Sequence, residues 1–369
     1  MPGVLSDIPR WEAPPTSTKD FDYAGLQTLD LSTVTGDEYE QVPADVVKTI
    51  GEALSQDGFI YVTNHGLRPD EVQRQFDLAQ YAFDGVSEAD KAKYAAKISE
   101  TGDYTGYKPR GHWKLRGVPD QIEHLGLGDR AFRPGERENV FPPALLPFAD
   151  EIAAFRRYNH IHIFRKILTV LSLVLKLPPT YLWNLANEES GLFRYALYHP
   201  PPQEDDVKTD GVRLQGHSDF RSVTLLYSQP IVSLQVLMPD NVWRYVRHVP
   251  NALVLNLGDA THFLSGGYLK PTIHRVVSPP DPDQAKYRRL GVFYFAAYNP
   301  DVRLVPLTQS PVVASTGKTF FNEGRDAPTA WQWEKSRVRA YGQDGEKKRL
   351  DNGHEEEAMI GGEKVVHYN

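Results

Sequence analysis

A histidine and an aspartate two residues apart are the first candidates for chemistry in this chain. His217 and Asp219 lie in the segment LQGHSDFRSVTLLYS (214–228), just before a run with the apolar character of a β-strand. Side chains at positions i and i+2 of a strand point to the same face, so the pair offers one nitrogen and one oxygen ligand from one side. The pattern therefore permits two interpretations: a metal site, or an ordinary strand with a polar edge.

A third ligand is available farther along the chain. His274 lies in PTIHRVVS, a predicted strand with apolar neighbours. The chain between Asp219 and His274 is long enough for about four or five short strands, so it can pass round a β-roll and return beside the pair. Two histidines and one carboxylate on one face leave three coordination positions open, which is the ligand set of non-haem Fe(II) oxygenases.

An arginine at the start of a very apolar strand is the next candidate. Arg289 directly precedes LGVFYF (290–295). A guanidinium that points into a β-core needs an anion, because burying an unpaired charge is costly. Its planar fork matches a carboxylate with two parallel hydrogen bonds. The other interpretation, a rim arginine in a surface salt bridge, stays open on this evidence.

Composition excludes several other classes of function. The 369 residues include 41 Lys and Arg against 48 Asp and Glu, a net charge of −7, which gives no electrostatic footprint for nucleic acid or an anionic membrane. The absence of cysteine excludes disulfides, cysteine-ligated metals and thiol nucleophiles. The first residues, MPGVLSDIPRWEAPPTS, lack a signal pattern, and the longest apolar run (167–177) is too short to span a bilayer. We therefore expect a cytoplasmic protein that binds neither nucleic acid nor membrane.

The elements that must position these residues follow from periodicity. Apolar residues at helical spacing predict five helices, at residues 42–56, 68–83, 88–96, 147–177 and 329–341. The segment 102–128 is predicted to be a loop. From 192 to 307, short apolar runs alternate with turn residues, which indicates a β-sandwich or barrel covered on one face by helices. We expect four regions: an extended arm (1–25), a helix and strand region (26–145), a long helix with the β-core (146–310), and a helix with a charged, solvated tail (311–369).

These motifs, taken in order, resemble the 2-oxoglutarate- and Fe(II)-dependent dioxygenases of the isopenicillin N synthase-like superfamily. The segment YKPRGHWKLRGVPDQIEH (107–124) resembles fungal-type members in particular. The resemblance covers about residues 25 to 310 and rests on GFIYVTNHGL (58–67), HSDF (217–220), Gly258-Asp259 and TIHRVV (272–277). It implies an α+β, mainly β fold, in which helices flank a double-stranded β-helix core of the jelly-roll or cupin-like type.

The resemblance also implies roles for individual residues. His217, Asp219 and His274 would hold Fe(II). Arg289 falls on the family's R-x-S motif for the far carboxylate of 2-oxoglutarate, and Tyr198 on a tyrosine that contacts this co-substrate. The expected reaction consumes O2, oxidises a small organic molecule, most often by hydroxylation, and releases succinate and CO2. His65, in the N-H-G motif, is expected to cap a turn and to be structural.

Two departures from the family pattern leave alternatives open. Gly291 stands in place of the serine of R-x-S, and Ala196 in place of an asparagine two residues before Tyr198. Both lost groups would hydrogen-bond the co-substrate or its surroundings. One alternative is an Fe(II) oxidase or oxidative cyclase that does not use 2-oxoglutarate. A second is a catalytically silent homologue that binds a ligand.

Substrate residues are predicted from position and residue type. Arg221, directly after HSDF, is expected to reach toward the iron pocket, with Tyr195 and Trp113 beside it. The walls would come from the 102–128 segment and from the C-terminal helix with Trp331 and Trp333. These residue types favour a small substrate with an apolar or ring portion and an acidic group.

Overall fold

The computed structural model describes residues 8–187, 190–321 and 327–340, and the backbone of three two-residue strands near the C-terminus. Those strands, Lys348–Arg349, Glu355–Glu356 and Val366–His367, form a small sheet. The predicted solvated tail (346–357) otherwise lies outside the described residues. Among the helices of the described ranges, none is long and apolar enough to cross a membrane.

Fourteen strands precede the tail in the part of the chain that the structure describes. In chain order they are β1 (Thr28–Asp30), β2 (Phe59–Thr63), β3 (Gly106–Lys108), β4 (Lys114–Leu115), β5 (Val118–Pro119), β6 (Ile122–Leu127), β7 (Gly191–Tyr198), β8 (Val212–His217), β9 (Val223–Tyr227), β10 (Leu234–Leu237), β11 (Trp243–Tyr245), β12 (Leu253–Leu257), β13 (His274–Val277) and β14 (Arg289–Ala296). Eight form one sheet in the order β1-β2-β12-β9-β14-β7-β6-β3, and four form a second in the order β11-β10-β13-β8. The two sheets enclose a cavity, which confirms the predicted α+β, mainly β fold with a double-stranded β-helix core.

The helices of the described residues lie mainly outside the larger sheet. They are α1 (Ala44–Gln56), α2 (Pro69–Asp84), α3 (Glu88–Lys93), α4 (Ile98–Thr101), α5 (Ala149–Tyr158), α6 (Arg165–Val174), α7 (Tyr181–Asn184), α8 (Gln203–Lys208), α9 (Asp259–Leu264), α10 (Pro311–Thr316) and α11 (Ala330–Ala340). The apolar faces of α1, α2, α5 and α6 share one buried core with the outer face of that sheet. Burial of the sheet face is what fixes these helices in place.

Strand alternation separates the core from the cavity. On β7, Phe193, Tyr195 and Leu197 pack into the helix-facing core, while Arg194, Ala196 and Tyr198 face the cavity. The period of two in a strand produces this division, so a single strand supplies both core and site.

The segment 102–128 corrects one prediction. It is not a loop, because β3 pairs with β6, β6 pairs with β7 and both extend the larger sheet, while β4 and β5 form a hairpin. The strand IEHLGL (122–127) carries polar and glycine residues that weaken its sequence signal, and pairing with β7 supplies the missing stability.

The predicted helix at 147–177 is also modified. It contains α5 and α6 joined by a π-helical turn, Asn159–Phe164. Within this turn Asn159 Oδ1 accepts a hydrogen bond from the Tyr227 hydroxyl at 2.8 Å, and His160 Nδ1 lies 2.7 Å from the Tyr294 hydroxyl. The extra residue in the turn brings two consecutive polar side chains onto the sheet, a common reason for a π-bulge.

Candidate active site

Three potential metal ligands meet on the wall of the cavity. His217 ends β8 and His274 begins β13, and the two are direct partners in the antiparallel ladder. Asp219 follows β8, and its Oδ1 lies 3.8 Å from Nε2 of each histidine. One ligand atom from each residue falls within 4.8 Å of the others, so all three can reach one ion.

Neighbouring groups fix the orientation of these ligands. Nδ1 of His217 lies 2.9 Å from the Gln215 carbonyl, and Nδ1 of His274 lies 3.2 Å from the Thr272 carbonyl. A carbonyl accepts only an N–H, so both rings carry the proton on Nδ1 and keep the Nε2 lone pair for a metal. Metal-binding histidines usually donate their other ring N–H to a carbonyl or carboxylate, and this bond fixes the tautomer.

Asp219 is held in a similar way. Its Oδ2 accepts hydrogen bonds from Thr224 Oγ1 at 2.5 Å and from Asn256 Nδ2 at 2.6 Å, which leaves Oδ1 facing the histidines. Burial alone would raise the pKa of Asp219, but His274 and His217, with the two hydrogen bonds, lower it overall. The carboxylate is therefore ionised and ready to ligate a cation.

The loop that carries Asp219 rests on the turn after β12. Gly258 lies so close that a Cβ there would be 2.2 Å from the Arg221 carbonyl oxygen, and the Asp259 amide donates to the Asp219 carbonyl at 2.8 Å. The Asp259 side chain accepts hydrogen bonds from Ser218 and from Trp333 of α11. Asp259 thus joins the loop that carries Asp219 to the C-terminal helix.

Arg289 is the first residue of β14, and its side chain lines the same cavity as the three potential metal ligands. It is 2 % exposed, and its Cζ lies 5.1 Å from the Tyr198 ring centroid. Its Nε and Nη1 find no hydrogen-bond partner among the described residues. Burial lowers the pKa of Arg289 from its ordinary value, which is the mark of a buried cation that lacks a full counter-charge. The residues present therefore fit a dianion such as 2-oxoglutarate between this arginine and a metal.

Of the two departures from the family pattern, the structure explains Gly291 but not Ala196. A Cβ on Gly291 would lie 2.4 Å from the Phe293 ring, so Phe293 fills the space in which the family's serine would stand. Ala196 is buried on the cavity wall. Nothing in the structure explains the replacement of the asparagine there.

The cavity has a volume of about 120 Å³ and mainly apolar walls. Its aromatic lining consists of Phe59, Tyr104, Trp113, Tyr198, Phe220, Phe293 and Phe295. Its cationic lining residues are Arg194, Arg221 and Arg289, and its acidic ones are Asp219 and Glu334. A pocket with apolar walls and a few convergent polar groups is typical of a small-molecule site.

The predicted substrate residues have different outcomes. Trp113 and Arg221 do line the cavity. Arg221, however, is engaged, because its Nη2 lies 2.5 Å from Glu334 Oε1. Tyr195 is a correction: it lies on the opposite face of β7, where its hydroxyl donates to Gln75 of α2 at 2.8 Å. Side chains alternate between the two faces of a strand, and because Arg194 and Ala196 face the cavity, Tyr195 between them faces the core.

The C-terminal helix α11 lines the cavity as predicted, but not through the two predicted tryptophans. Trp333 is buried in the core and Trp331 is half exposed, and neither lines the cavity. Glu334 and Val338 do so instead. His65, as expected, is structural: its Nδ1 accepts from the Leu67 amide at 3.3 Å, and its Nε2 lies 3.0 Å from the Asn251 carbonyl.

Sequence reasoning missed Arg194, His124 and Asn256. Asn256 had a signal, as the one amide in the buried strand LVLNL. A lone polar residue in such a strand needs a partner, and here the partner is Asp219. Arg194 and His124 lie in strands whose cavity face only the sheet pairing reveals.

Comparison with known proteins agrees with this geometry. Residues 187–296 match the model of the 2OG-Fe(II) oxygenase superfamily, and residues 26–147 match that of the non-haem dioxygenase in morphine synthesis N-terminal region. A "2-oxoglutarate-Fe(II) type oxidoreductase" of Aspergillus fumigatus is 26% identical, covering 74% of this chain and 82% of its own. A homoarginine-6-hydroxylase of Glycine max is 25% identical over 81% of this chain and 93% of its own.

Solved structures share the fold. A Neurospora crassa protein in complex with alpha-KG and thymine superposes with a TM-score of 0.73 at 20% identity, covering 88% of this chain and 99% of its own. The chain belongs to the 2OG-Fe(II) oxygenase superfamily. It is an oxidoreductase that uses Fe(II), 2-oxoglutarate and O2 to oxidise a small molecule.

Proposed function

We propose that His217, Asp219 and His274 bind the Fe(II), and that Arg289 and Tyr198 bind the far carboxylate of 2-oxoglutarate. The observation that carries this proposal is that one cavity holds a three-ligand cluster and a buried guanidinium with two unpartnered nitrogens. The cluster fits a metal that needs open positions for its co-substrate and O2. The guanidinium fits an anion.

We propose hydroxylation of a small organic molecule as the reaction. When bound, the metal and 2-oxoglutarate supply the oxidising chemistry and yield succinate and CO2. The chain itself orients the ligands through Thr224 and Asn256, and it covers the site with aromatic walls that exclude water. Ring closure or desaturation would need only a different substrate position.

The alternative left open by the sequence, an Fe(II) oxidase that does not use 2-oxoglutarate, is disfavoured by the family matches. Ala196 and Gly291 are the residues in its favour, because neither carries the polar side chain of the family pattern at its position. The buried charge of Arg289 favours the first candidate, because the described residues leave two of its nitrogens unpartnered. Release of succinate separates the two reactions.

The decisive experiment is an anaerobic titration of the Fe(II)-loaded protein with 2-oxoglutarate. We expect the weak visible absorption band of an iron chelate in the wild type and at least a tenfold weaker affinity in Arg289→Gln. Arg288→Gln is the matched control, because this neighbouring arginine faces outward and pairs with Asp84. Iron binding without any such band in the wild type would favour the oxidase.

The ligand assignment has its own test. We expect His217→Ala and Asp219→Ala to lose Fe(II) binding and turnover while the circular dichroism spectrum stays that of a folded protein. Full activity in either variant would contradict the assignment.

We also propose a cytoplasmic enzyme whose partner is a small organic molecule with a ring or acidic portion, not a nucleic acid or a membrane. The net charge of −7 supports this. The boundaries predicted from the sequence, at residues 25, 145 and 310, remain part of the proposal, and the limits of the N-terminal family match, 26 and 147, support the first two.

A further inference from the structure

Arg194 is a second cavity-facing arginine on the strand that carries Tyr198. The two residues are four apart on β7, so their Cα atoms are separated by about 13 Å along the strand. In the ladder with β14, Tyr198 lies opposite Arg289, whereas Arg194 lies opposite Phe293. Arg194 is therefore at the end of the cavity away from Arg289 and outside the proposed co-substrate site.

The guanidinium of Arg194 is held by rings and not by acids. Its Cζ lies 4.6 Å from the Tyr104 ring centroid and 4.7 Å from that of Phe295. Among the described residues it has no hydrogen-bond or ion-pair partner, and its Nε is buried. Rings stacked on a guanidinium leave its N–H groups free in the plane, which is the geometry for binding a carboxylate with two hydrogen bonds.

Both acids that line the cavity are already engaged. Asp219 faces His217 and His274 and accepts two hydrogen bonds on its other oxygen. Glu334 pairs with Arg221. Neither carboxylate is therefore left to compensate the charge of Arg194, and burial lowers its pKa accordingly.

His124 adds a second polar group to the same wall. It lies on β6 opposite Ala196, two residues along the paired strand from Arg194. Its buried Nε2 has no partner among the described residues, and its ring lies 5.6 Å from Tyr104 and 5.9 Å from Trp113. Burial, with Arg194 nearby, holds the pKa of His124 well below its ordinary value, so the imidazole is neutral and offers an acceptor or a donor.

We propose that Arg194, assisted by His124, binds a carboxylate group of the substrate, whose ring or apolar portion packs on Trp113 and Phe220. This inference rests on the proposed function, since it assigns the substrate class of the same cavity. It also replaces Arg221 as the residue that recognises an acidic substrate, because Glu334 neutralises Arg221.

The test compares carboxylates with their neutral amides. Phenylacetate, benzoate, phenylacetamide and benzamide are titrated by calorimetry into the Fe(II)-loaded protein under anaerobic conditions with saturating 2-oxoglutarate. We expect at least one carboxylate to bind tenfold or more tightly than its amide. Arg194→Met should abolish this preference without changing 2-oxoglutarate affinity. Arg74→Gln is the control, because Arg74 pairs with Glu151 on the helical side and does not line the cavity.

Two outcomes would overturn the inference: equal binding of both carboxylates and their amides by the wild type, or an unchanged preference in Arg194→Met. Repeating the titration in Arg289→Gln without 2-oxoglutarate distinguishes a wrong assignment of Arg194 from a wrong assignment of Arg289. In this variant the co-substrate site is removed, so only the proposed substrate site can prefer a carboxylate. A retained carboxylate preference in that variant supports Arg194 whether or not the wild type binds 2-oxoglutarate.

Thermal unfolding of the ligand-free protein gives a readout that a structural role would not produce. Arg194→Met keeps the apolar stem and removes a charge without a partner, so we expect the melting temperature to rise by about 2 °C or more. A lower melting temperature would indicate that Arg194 stabilises the fold, and it would contradict a site kept for a ligand.

Discussion

The two carboxylate oxygens of Asp219 have different partners. Oδ2 is saturated by Thr224 and Asn256, and only Oδ1 faces the two histidines. Two hydrogen bonds of 2.5 and 2.6 Å therefore decide which oxygen is presented to the metal. The sequence motif H-x-D supplies two of the proposed ligands, and these bonds set the geometry of the carboxylate.

The first prediction concerns Asn256. Asn256→Ala should lower Fe(II) affinity about 10- to 100-fold, because the carboxylate loses one of the groups that orient it. Anaerobic Fe(II) titration measures this directly. Asn139→Ala is the control, since the Asn139 side-chain amide donates to Glu136 on the surface, away from Asp219. An unchanged affinity in Asn256→Ala would show that Thr224 alone orients Asp219.

The second prediction concerns the Arg221–Glu334 pair, whose side chains are 16 % and 18 % exposed. Glu334→Ala should destabilise the protein by about 3 kcal/mol, because it leaves a charge that is largely buried without its partner. The double variant Arg221→Met/Glu334→Leu should recover most of this loss. Urea unfolding of the three proteins is the measurement, and equal stability of single and double variants would contradict it.

At the scale of elements, an ion pair joins the end of α2 to the residue before β14. Arg288 donates to both oxygens of Asp84, each at 2.7 Å. The next residue, Arg289, begins β14 with its side chain in the cavity. At the start of β14, Arg288 therefore points outward to α2 and Arg289 points inward to the proposed co-substrate site. Side chains of successive residues in a strand point to opposite faces.

The third prediction is the pH dependence of this pair. Hydrogen bonds from Arg288 lower the pKa of Asp84 below its ordinary value. Its contribution is therefore complete above about pH 4 and disappears as the pH falls through the lowered pKa. Asp84→Asn should cost about 0.5 kcal/mol at pH 7, because the pair is two-fifths exposed and solvent weakens it. Urea unfolding at pH 7, 5 and 3.5 tests this, and a cost that grows toward low pH would contradict it.

At the scale of the whole molecule, several histidines are buried in neutral form. Burial lowers the pKa of His65 and His262, and it lowers that of His160 to about 3. The unfolded chain takes up these protons near pH 6.5, whereas the folded protein takes them up only at lower pH. Stability is therefore full above about pH 7 and falls as the pH decreases below 6.5.

The fourth prediction isolates His160. Between pH 7.5 and 5 its contribution should lower the free energy of unfolding by about 2 kcal/mol. His160→Gln can keep a hydrogen bond to Tyr294, so its stability should decline less steeply over this range. Urea unfolding of the metal-free protein is the measurement, and parallel curves for variant and wild type would refute the assignment.

Much of the fold was predictable because it depends on local pattern. Apolar residues at helical spacing located α1 and α2 to within two residues at each end, and the alternating runs after residue 190 located the β-core. The strand β6 was missed because its stability comes from pairing with β7, a contact distant in sequence. The π-turn at Asn159 was missed because it exists to satisfy two tyrosines on the sheet.

The sequence by itself determined the candidate site residues and their order, since His217, Asp219, His274 and Arg289 lie in strand motifs that hold their spacing. Only the tertiary structure decided which charges are engaged. Arg221 and Arg194 look alike in the sequence, yet one has Glu334 beside it and the other has two aromatic rings. That difference arises because α11 and β7 meet at the cavity, and local sequence does not encode contacts between such distant segments.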